Sequence, residues 1–273
     1  MAARLAWYFY FVFIAFKTPA IMLLGVLCGL PFVFSKRLGD GRFLLLFWGL
    51  FWFLPFTVLG GKFTRYYTFA LPLVLIISAI GTSRIAHLIV NFVAPRFQGA
   101  RLPERSSSML RAALILLFLA FPAIAAARVS PYYRLYINIF GGGNAQAGNY
   151  FPHDEFYDGS VREATYKVSA IARPAARVAS ETTELVTFYL QQAQRGDLVA
   201  VSLSDQMAVR ELATGDIIID AKGRRYFSND KLTNILRSAA TPIDRLPYGP
   251  TNSISIYVLD ERVLTLIREA NMP

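Results

Sequence analysis

Four stretches without a charged side chain constrain this chain more than anything else in it: Thr18–Phe34, Phe43–Leu59, Tyr66–Ser83 and Ala112–Ala127. At 1.5 Å per helical residue each reaches about 24–27 Å, close to the hydrocarbon thickness of a bilayer once flanking arginines and aromatic rings extend to the headgroups. A chain of 273 residues that is 55% hydrophobic has too little polar surface to hide such runs in water. The pattern predicts a transmembrane domain over residues 1–128 with about four transmembrane helices, at 18–34, 43–59, 66–83 and 112–127. Leu5–Phe16 is too short for a further span with its own return, and Trp7, Tyr8 and Tyr10 suit the headgroup region. It reads as an interfacial helix or the tail of a longer span. No small-residue cleavage site follows it, so the segment is expected to be retained rather than removed as a signal.

Charge divides at the same place. Residues 1–128 hold 13 Lys/Arg against 2 acids, and residues 129–273 hold 15 against 16, so the net +10 belongs to the apolar half. Most of these cations sit in short loops between the apolar runs, where they orient the spans, which argues against nucleic-acid binding. Lys36, Arg37 and Arg42 follow the first span, and Arg84, Arg96, Arg101, Arg105 and Arg111 follow the third. Both loops are expected on the cytoplasmic side. The Gly60–Arg65 turn, Lys17 and everything after Arg128 then lie on the outer side. The lone Cys28 lies inside an apolar run, which rules out a disulfide framework within the chain.

Beyond Pro131 short β-branched runs alternate with helical segments. Strands are expected at Arg177–Ser180, Leu198–Leu203, Asp216–Asp220 and Ser253–Leu259. Helices are expected at Val161–Ala172, Glu181–Gln194, Asp205–Ala213, Asp230–Ala239 and Glu261–Ala270. Ser160 and Glu163 have capping-box spacing and mark the first of these helix starts. Residues 129–273 therefore read as a small extracytoplasmic α/β domain with a parallel or mixed sheet.

Few residues invite chemistry. Lys17, Lys62 and Arg65 fall at outer ends of spans, where cations are normally depleted. They would suit an anion at the membrane surface, or would simply reach anionic headgroups. Lys62, Arg65 and the following Tyr66 could face one phosphate together from a helical start. Phe151–Asp158 gathers His153, Asp154, Glu155 and Asp158 in eight residues. That loop is a candidate for a divalent metal, an acceptor or a general base, with loop ordering and capping by Asp158 as the plain alternative. Ile139–Asn144 lacks GxGxxG spacing and reads as a flexible loop rather than a dinucleotide site. Trp48 and Trp52, one turn apart, read as core packing or interfacial anchors. The apolar runs contain no carboxylate in their interiors, which argues against proton- or sodium-coupled transport. No GxSxG, Walker motif or Ser-His-Asp setting occurs in the polar half, and His87 belongs to a cytoplasmic loop, so a self-contained hydrolase is not expected.

Lys17-Thr18-Pro19, Gly61-Lys62-Phe63-Thr64-Arg65-Tyr66 with Leu71-Pro72 beyond, Tyr150–Asp158 and Gly223-Arg224-Arg225-Tyr226-Phe227-Ser228-Asn229 occur in this order. Together they resemble the C-terminal part of bacterial GT-C polyprenyl-phosphate-sugar glycosyltransferases, similar to protein O-mannosyltransferases and aminoarabinose transferases. The resemblance implies a polyprenyl-phosphate-linked sugar as donor, contact with membrane lipid, and a glycan, lipid or protein as acceptor. It implies a multi-pass location in the bacterial inner membrane and Lys17, Lys62, Arg65 and Tyr66 as ligands of the donor phosphate. The family's general-base aspartate lies in a first outer loop that nothing here matches, and neither Asp154 nor Glu155 is assigned its place. The chain is then expected to be the C-terminal piece of a longer or split enzyme, its base supplied by missing residues or a separate N-terminal half, or else a degenerate relative without catalysis. The alternative is a non-catalytic, membrane-anchored module that binds glycan or protein.

Overall fold

A computed structural model describes residues 7–58, 64–93, 96 and 103–270. The chain divides into two compact units, residues 1–144 and 145–273. The boundary falls later than the end of the last apolar run because residues 137–144 fold back onto the first helix, as described below.

Unit 1 is helical. Its elements are α1 (Phe9–Lys17), α2 (Ala20–Val33), α3 (Gly41–Val58), the single turn α4 (Thr64–Tyr67), α5 (Leu71–Leu88, continued by a wider turn over Ile89–Val93) and α6 (Glu104–Val129). Among the described residues three helices are long and apolar enough to cross a membrane: Gly41–Val58, Leu71–Phe92 and Glu104–Val129. The expected first span is shorter than the charge-free run, because Pro19 sets the start of α2 and the helix stops at Val33, leaving 14 residues. The third span begins at Leu71 rather than Tyr66, since Thr68–Ala70 form a turn between α4 and α5.

Glycine decides how α2 and α5 meet. A Cβ placed on Gly81 would lie 1.8 Å from the Gly25 carbonyl oxygen, and one on Gly29 would lie 2.0 Å from the Ile77 carbonyl oxygen. The two backbones therefore touch, and Ser78 Oγ adds a hydrogen bond of 3.0 Å to the Met22 carbonyl. Gly25 and Gly29 sit four apart on one helix face, the small-residue spacing by which helices approach without side chains between them. Leu27, Phe47, Leu50 and Leu116, by contrast, are 62–69% exposed.

Unit 2 contains α7 (Pro152–Phe156), α8 (Val161–Ile171), β1 (Arg177–Ala179), α9 (Thr183–Gln192), β2 (Val199–Val201), α10 (Gln206–Arg210), β3 (Ile217–Ala221), α11 (Asp230–Ala239), β4 (Asp244–Tyr248), β5 (Thr251–Val258) and α12 (Glu261–Ala270). The sheet order is β2-β1-β3-β5-β4. β1 pairs in parallel with β2 and β3, and β5 pairs antiparallel with β3 and β4, so the sheet is mixed. Every residue of β3 is buried, as a central strand covered on both faces requires. Ile217, Ile219, Ile254 and Ile256 face α8 and α9 through Val161, Val168, Val186 and Leu190. Ile218, Tyr257 and Leu259 face α10, α11 and α12 through Val209, Leu232, Leu236, Val263 and Ile267.

The four expected strands and five expected helices are all present, with ends moved by a few residues. β4 was not expected. It is a polar edge strand with Pro247 at a register shift, a place where the missing proline N–H costs no ladder bond. The capping box at Ser160 does not form. Ser160 takes a left-handed conformation (φ 66°), and its hydroxyl donates to the Pro247 carbonyl at 2.8 Å instead of capping α8.

Candidate functional site

In unit 1 the cations of interest lie where helix ends meet. Phe13, one turn before Lys17, packs its ring against Tyr67 at 5.2 Å, and Tyr67 is two residues from Arg65. The ends of α1 and α4 are thereby neighbours. Lys17 Nζ donates to the Arg134 carbonyl at 2.7 Å. The Arg65 guanidinium lies 5.6 Å from the centre of the Tyr66 ring, which itself stacks on Phe56 at 5.0 Å. That cation–π contact holds the guanidinium beside the Tyr66 ring. The structure thus brings Lys17, Arg65 and Tyr66 to adjoining elements, whereas Lys62 lies outside the described residues.

Asn138 organises this border, and the sequence reading did not find it. Its side chain is 3% exposed. Nδ2 donates to the carbonyls of Ala15 at 2.6 Å and Thr18 at 2.7 Å, satisfying carbonyls that α1 leaves open at its C-terminus. Oδ1 accepts from the Phe140 and Gly141 amides at 2.9 and 3.2 Å. The Asn138 amide also donates to the Phe16 carbonyl at 2.8 Å. Gly141 must be glycine because a Cβ there would stand 2.5 Å from Ile137 Cγ2. Residues 139–141, expected to be a flexible loop, form a tight helical turn held by this asparagine.

The tryptophans bridge helices. Trp48 Nε1 donates to the Phe69 carbonyl at 2.9 Å, and Trp52 stacks on Phe69 with ring centres 4.6 Å apart. Nearby, an apolar groove of about 390 Å³ is lined by Phe11, Leu30, Leu45, Phe53, Leu54 and Leu73.

In unit 2 the His153–Asp158 segment is a short helix followed by a turn, and its side chains diverge. Glu155 is 1% exposed, and its carboxylate accepts from the Gly148 amide. His153 Nδ1 is 2.7 Å from the Gly223 carbonyl, which makes it the donor there. Asp154 is half-buried on the same turn. Asp158 does not cap α8. It accepts instead from Arg224 Nε at 2.6 Å. Burial works against the Arg224 charge, but the bonds to Asp158 and to the Tyr226 hydroxyl outweigh it and hold the guanidinium more firmly protonated than usual. Gly223 lets this turn close, since a Cβ there would lie 2.3 Å from the Tyr157 carbonyl oxygen. Among the described residues no group of three or more His, Cys, Asp or Glu could hold a metal ion. The segment's visible role is to lock α7 onto the Gly223–Asn229 turn.

A second buried charge lies at the end of β3. Asp220 is 3% exposed and takes a two-pronged hydrogen bond from Arg237, at 2.8 Å on each oxygen. Burial pushes the Asp220 carboxyl up, and Arg237 opposes that shift. Burial, reinforced by the neighbouring Arg237, also pushes the Lys222 ammonium down.

These features define a class of chain: a helical part with three helices able to cross a bilayer, followed by a small mixed α/β domain. No family model, curated protein or solved structure matches it.

Proposed function

We propose that this chain is the carrier-phosphate-binding and extracytoplasmic part of a bacterial inner-membrane glycosyltransferase, moving a sugar from a polyprenyl-phosphate donor to an acceptor at the outer face. In this reading α2, lying backbone to backbone against α5, completes a set of four spans. Helix alternation then gathers the end of α1 and the α3–α5 turn on the outer side, together with everything after Arg128.

The observation that supports the reading is the Phe13–Tyr67 ring contact, which makes neighbours of α1 and α4, the helices that carry Lys17 and Arg65. The apolar groove beside α3 and α5 has the chemistry of an isoprenoid chain. An acceptor hydroxyl would attack the anomeric carbon, and the sugar's bond to the phosphate oxygen would break. The polyprenyl phosphate would leave with the electron pair, while the acceptor's proton would pass to a base supplied by another part of the enzyme. Lys17, Arg65 and, from the sequence, Lys62 would stabilise the charge growing on the departing phosphate.

Transfer from a polyprenyl-phosphate sugar, assayed in membranes containing the active assembly, tests this. Lys17→Ala or Arg65→Ala is expected to slow it by about 2–4 kcal/mol of transition-state stabilisation, the range for one lost preplaced donor. Unchanged turnover in both variants overturns the assignment. Binding of a neutral glycan with no transfer would favour the alternative of a non-catalytic module.

A further inference from the structure

The path of the chain through the sheet of unit 2 reverses direction at β1. From β1 the chain crosses to β2 through α9 on one face of the sheet. It then returns past β1 to β3 through α10 on the opposite face. The helices that follow β1 and β3, α9 and α11, lie on opposite faces of the sheet, so the carboxyl ends of these two neighbouring strands form a topological switch point. In open α/β sheets this is where ligands sit.

What lines this edge is polar and interlinked. Glu181 follows β1 by two residues. Its Oε1 accepts from Ser204 Oγ and from Asn229 Nδ2, each at 2.6 Å, and its Oε2 takes a longer contact from Ser202 Oγ at 3.3 Å. Ser204 Oγ is 2.7 Å from Ser228 Oγ. Asn229 is 1% exposed, and its Oδ1 accepts from the Tyr226 amide at 3.0 Å. Three loops are thus tied to one carboxylate, and the cluster ends at the exposed hydroxyl of Ser228. Next to it Phe227 is 82% exposed, the most exposed of the large hydrophobic side chains described, and Tyr226 is 36% exposed.

The electrostatics narrow the ligand. A phosphate at such an edge would use helix N-termini, but those here already carry acids. Asp205 caps α10 by accepting from the Met207 and Ala208 amides, while Glu184 and Asp230 occupy the first turns of α9 and α11. Serine hydroxyls can donate or accept as required, and the half-buried Glu181 carboxylate, held in place by the buried Asn229, has acceptor capacity for a sugar hydroxyl. An exposed ring alongside can cover an apolar C–H face.

We infer that the carboxyl edge of β1, β2 and β3 binds a neutral pyranose sugar, through Glu181, Ser204 and Ser228 with Phe227 against the sugar ring. The site goes beyond the carrier-phosphate reading and does not depend on it.

Saturation-transfer NMR on the full chain in lipid nanodiscs tests the inference, with the methyl glycosides of mannose, glucose and galactose as probes. At least one probe is expected to receive saturation from the wild type. Phe227→Ala, at a site too exposed to affect folding, is expected to weaken that binding about tenfold, the scale of one lost ring contact. Ser228→Ala should weaken it in the same direction, with thermal melting unchanged in both. The Lys17→Ala and Arg65→Ala chains should bind the probe as the wild type does, which separates failure here from failure of the phosphate site. Absence of saturation for all three probes, wild-type binding by both the Phe227 and Ser228 variants, or displacement of the probe by inorganic phosphate would each overturn the proposal.

Discussion

The two units bury their backbones by opposite means. Unit 2 hides Ile217, Ile218 and Ile219 at 0–1% exposure between two helical layers and turns Lys167, Asp244, Arg195 and Asp197 outward. Unit 1 brings bare glycines together and turns Leu27, Phe47 and Leu116 outward. In water, apolar burial drives association, and large side chains belong between the layers. In hydrocarbon a leucine gains nothing by leaving the solvent. Close backbone packing and internal hydrogen bonds must hold the helices instead. The contrast teaches that each unit is built for a different solvent, and it can be broken or sharpened by experiment.

The largest expected effect is at Gly81. Replacing it with leucine would push a side chain into the Gly25 carbonyl, a contact that no rotamer relieves. Overpacking against yielding side chains costs about 1–3 kcal/mol, and against backbone the loss should exceed that range, separating α2 from α5. Fluorescence-detected thermal stability in detergent should fall sharply for this variant.

Next comes a matched pair of outward-facing sites. Leu116 in α6 is 67% exposed and Met207 in unit 2 is 66% exposed. An aspartate in place of Leu116 should cost about 3 kcal/mol or more of membrane insertion, whereas Met207→Asp should stay within about 0.5 kcal/mol. Glycosylation-reporter insertion assays read the first and chemical denaturation the second. Equal effects would erase the two-solvent contrast.

The smallest effect is a pH response confined to unit 2. The Arg195 hydrogen bond holds the Asp197 carboxyl down at about 2 from an ordinary 3.8. A depressed carboxylate adds stability above its unfolded value, and that contribution fades as pH falls from 3.8 towards 2. Asp197→Asn should therefore flatten the acid limb of unit 2 melting in that window and leave neutral-pH behaviour of unit 1 unchanged.

Much of unit 2 was legible because β-branched runs such as Ile217–Ile219 and the spaced leucines of α11 report burial directly. β4 was not, since Asp-Arg-Leu-Pro-Tyr carries an acid and a proline among few strand formers, and its place is set by β5 beside it. The Gly25–Gly29 spacing was visible in the sequence but went unread, because its meaning depends on Gly81 across the helix pair. Ser160 shows the reverse: a correct local pattern was overridden when Pro247 came within reach of its hydroxyl. Charge placement pointed to Lys17 and Arg65 and composition to His153 and Glu155 as candidates. Asn138 was missed because the carbonyls its Nδ2 satisfies lie more than 100 residues away, beyond the reach of its local turn pattern.

The orientation of the Lys17–Arg65 border decides the account most directly. In cells carrying the Cys28→Ser chain, single cysteines at Thr64, Lys36 and Ser238 can be tested with a membrane-impermeant maleimide. The account predicts labelling of Thr64→Cys and Ser238→Cys in intact cells, and of Lys36→Cys after permeabilisation alone. Labelling of Thr64→Cys that requires permeabilisation would put these cations on the cytoplasmic side and contradict a trans-side phosphate site.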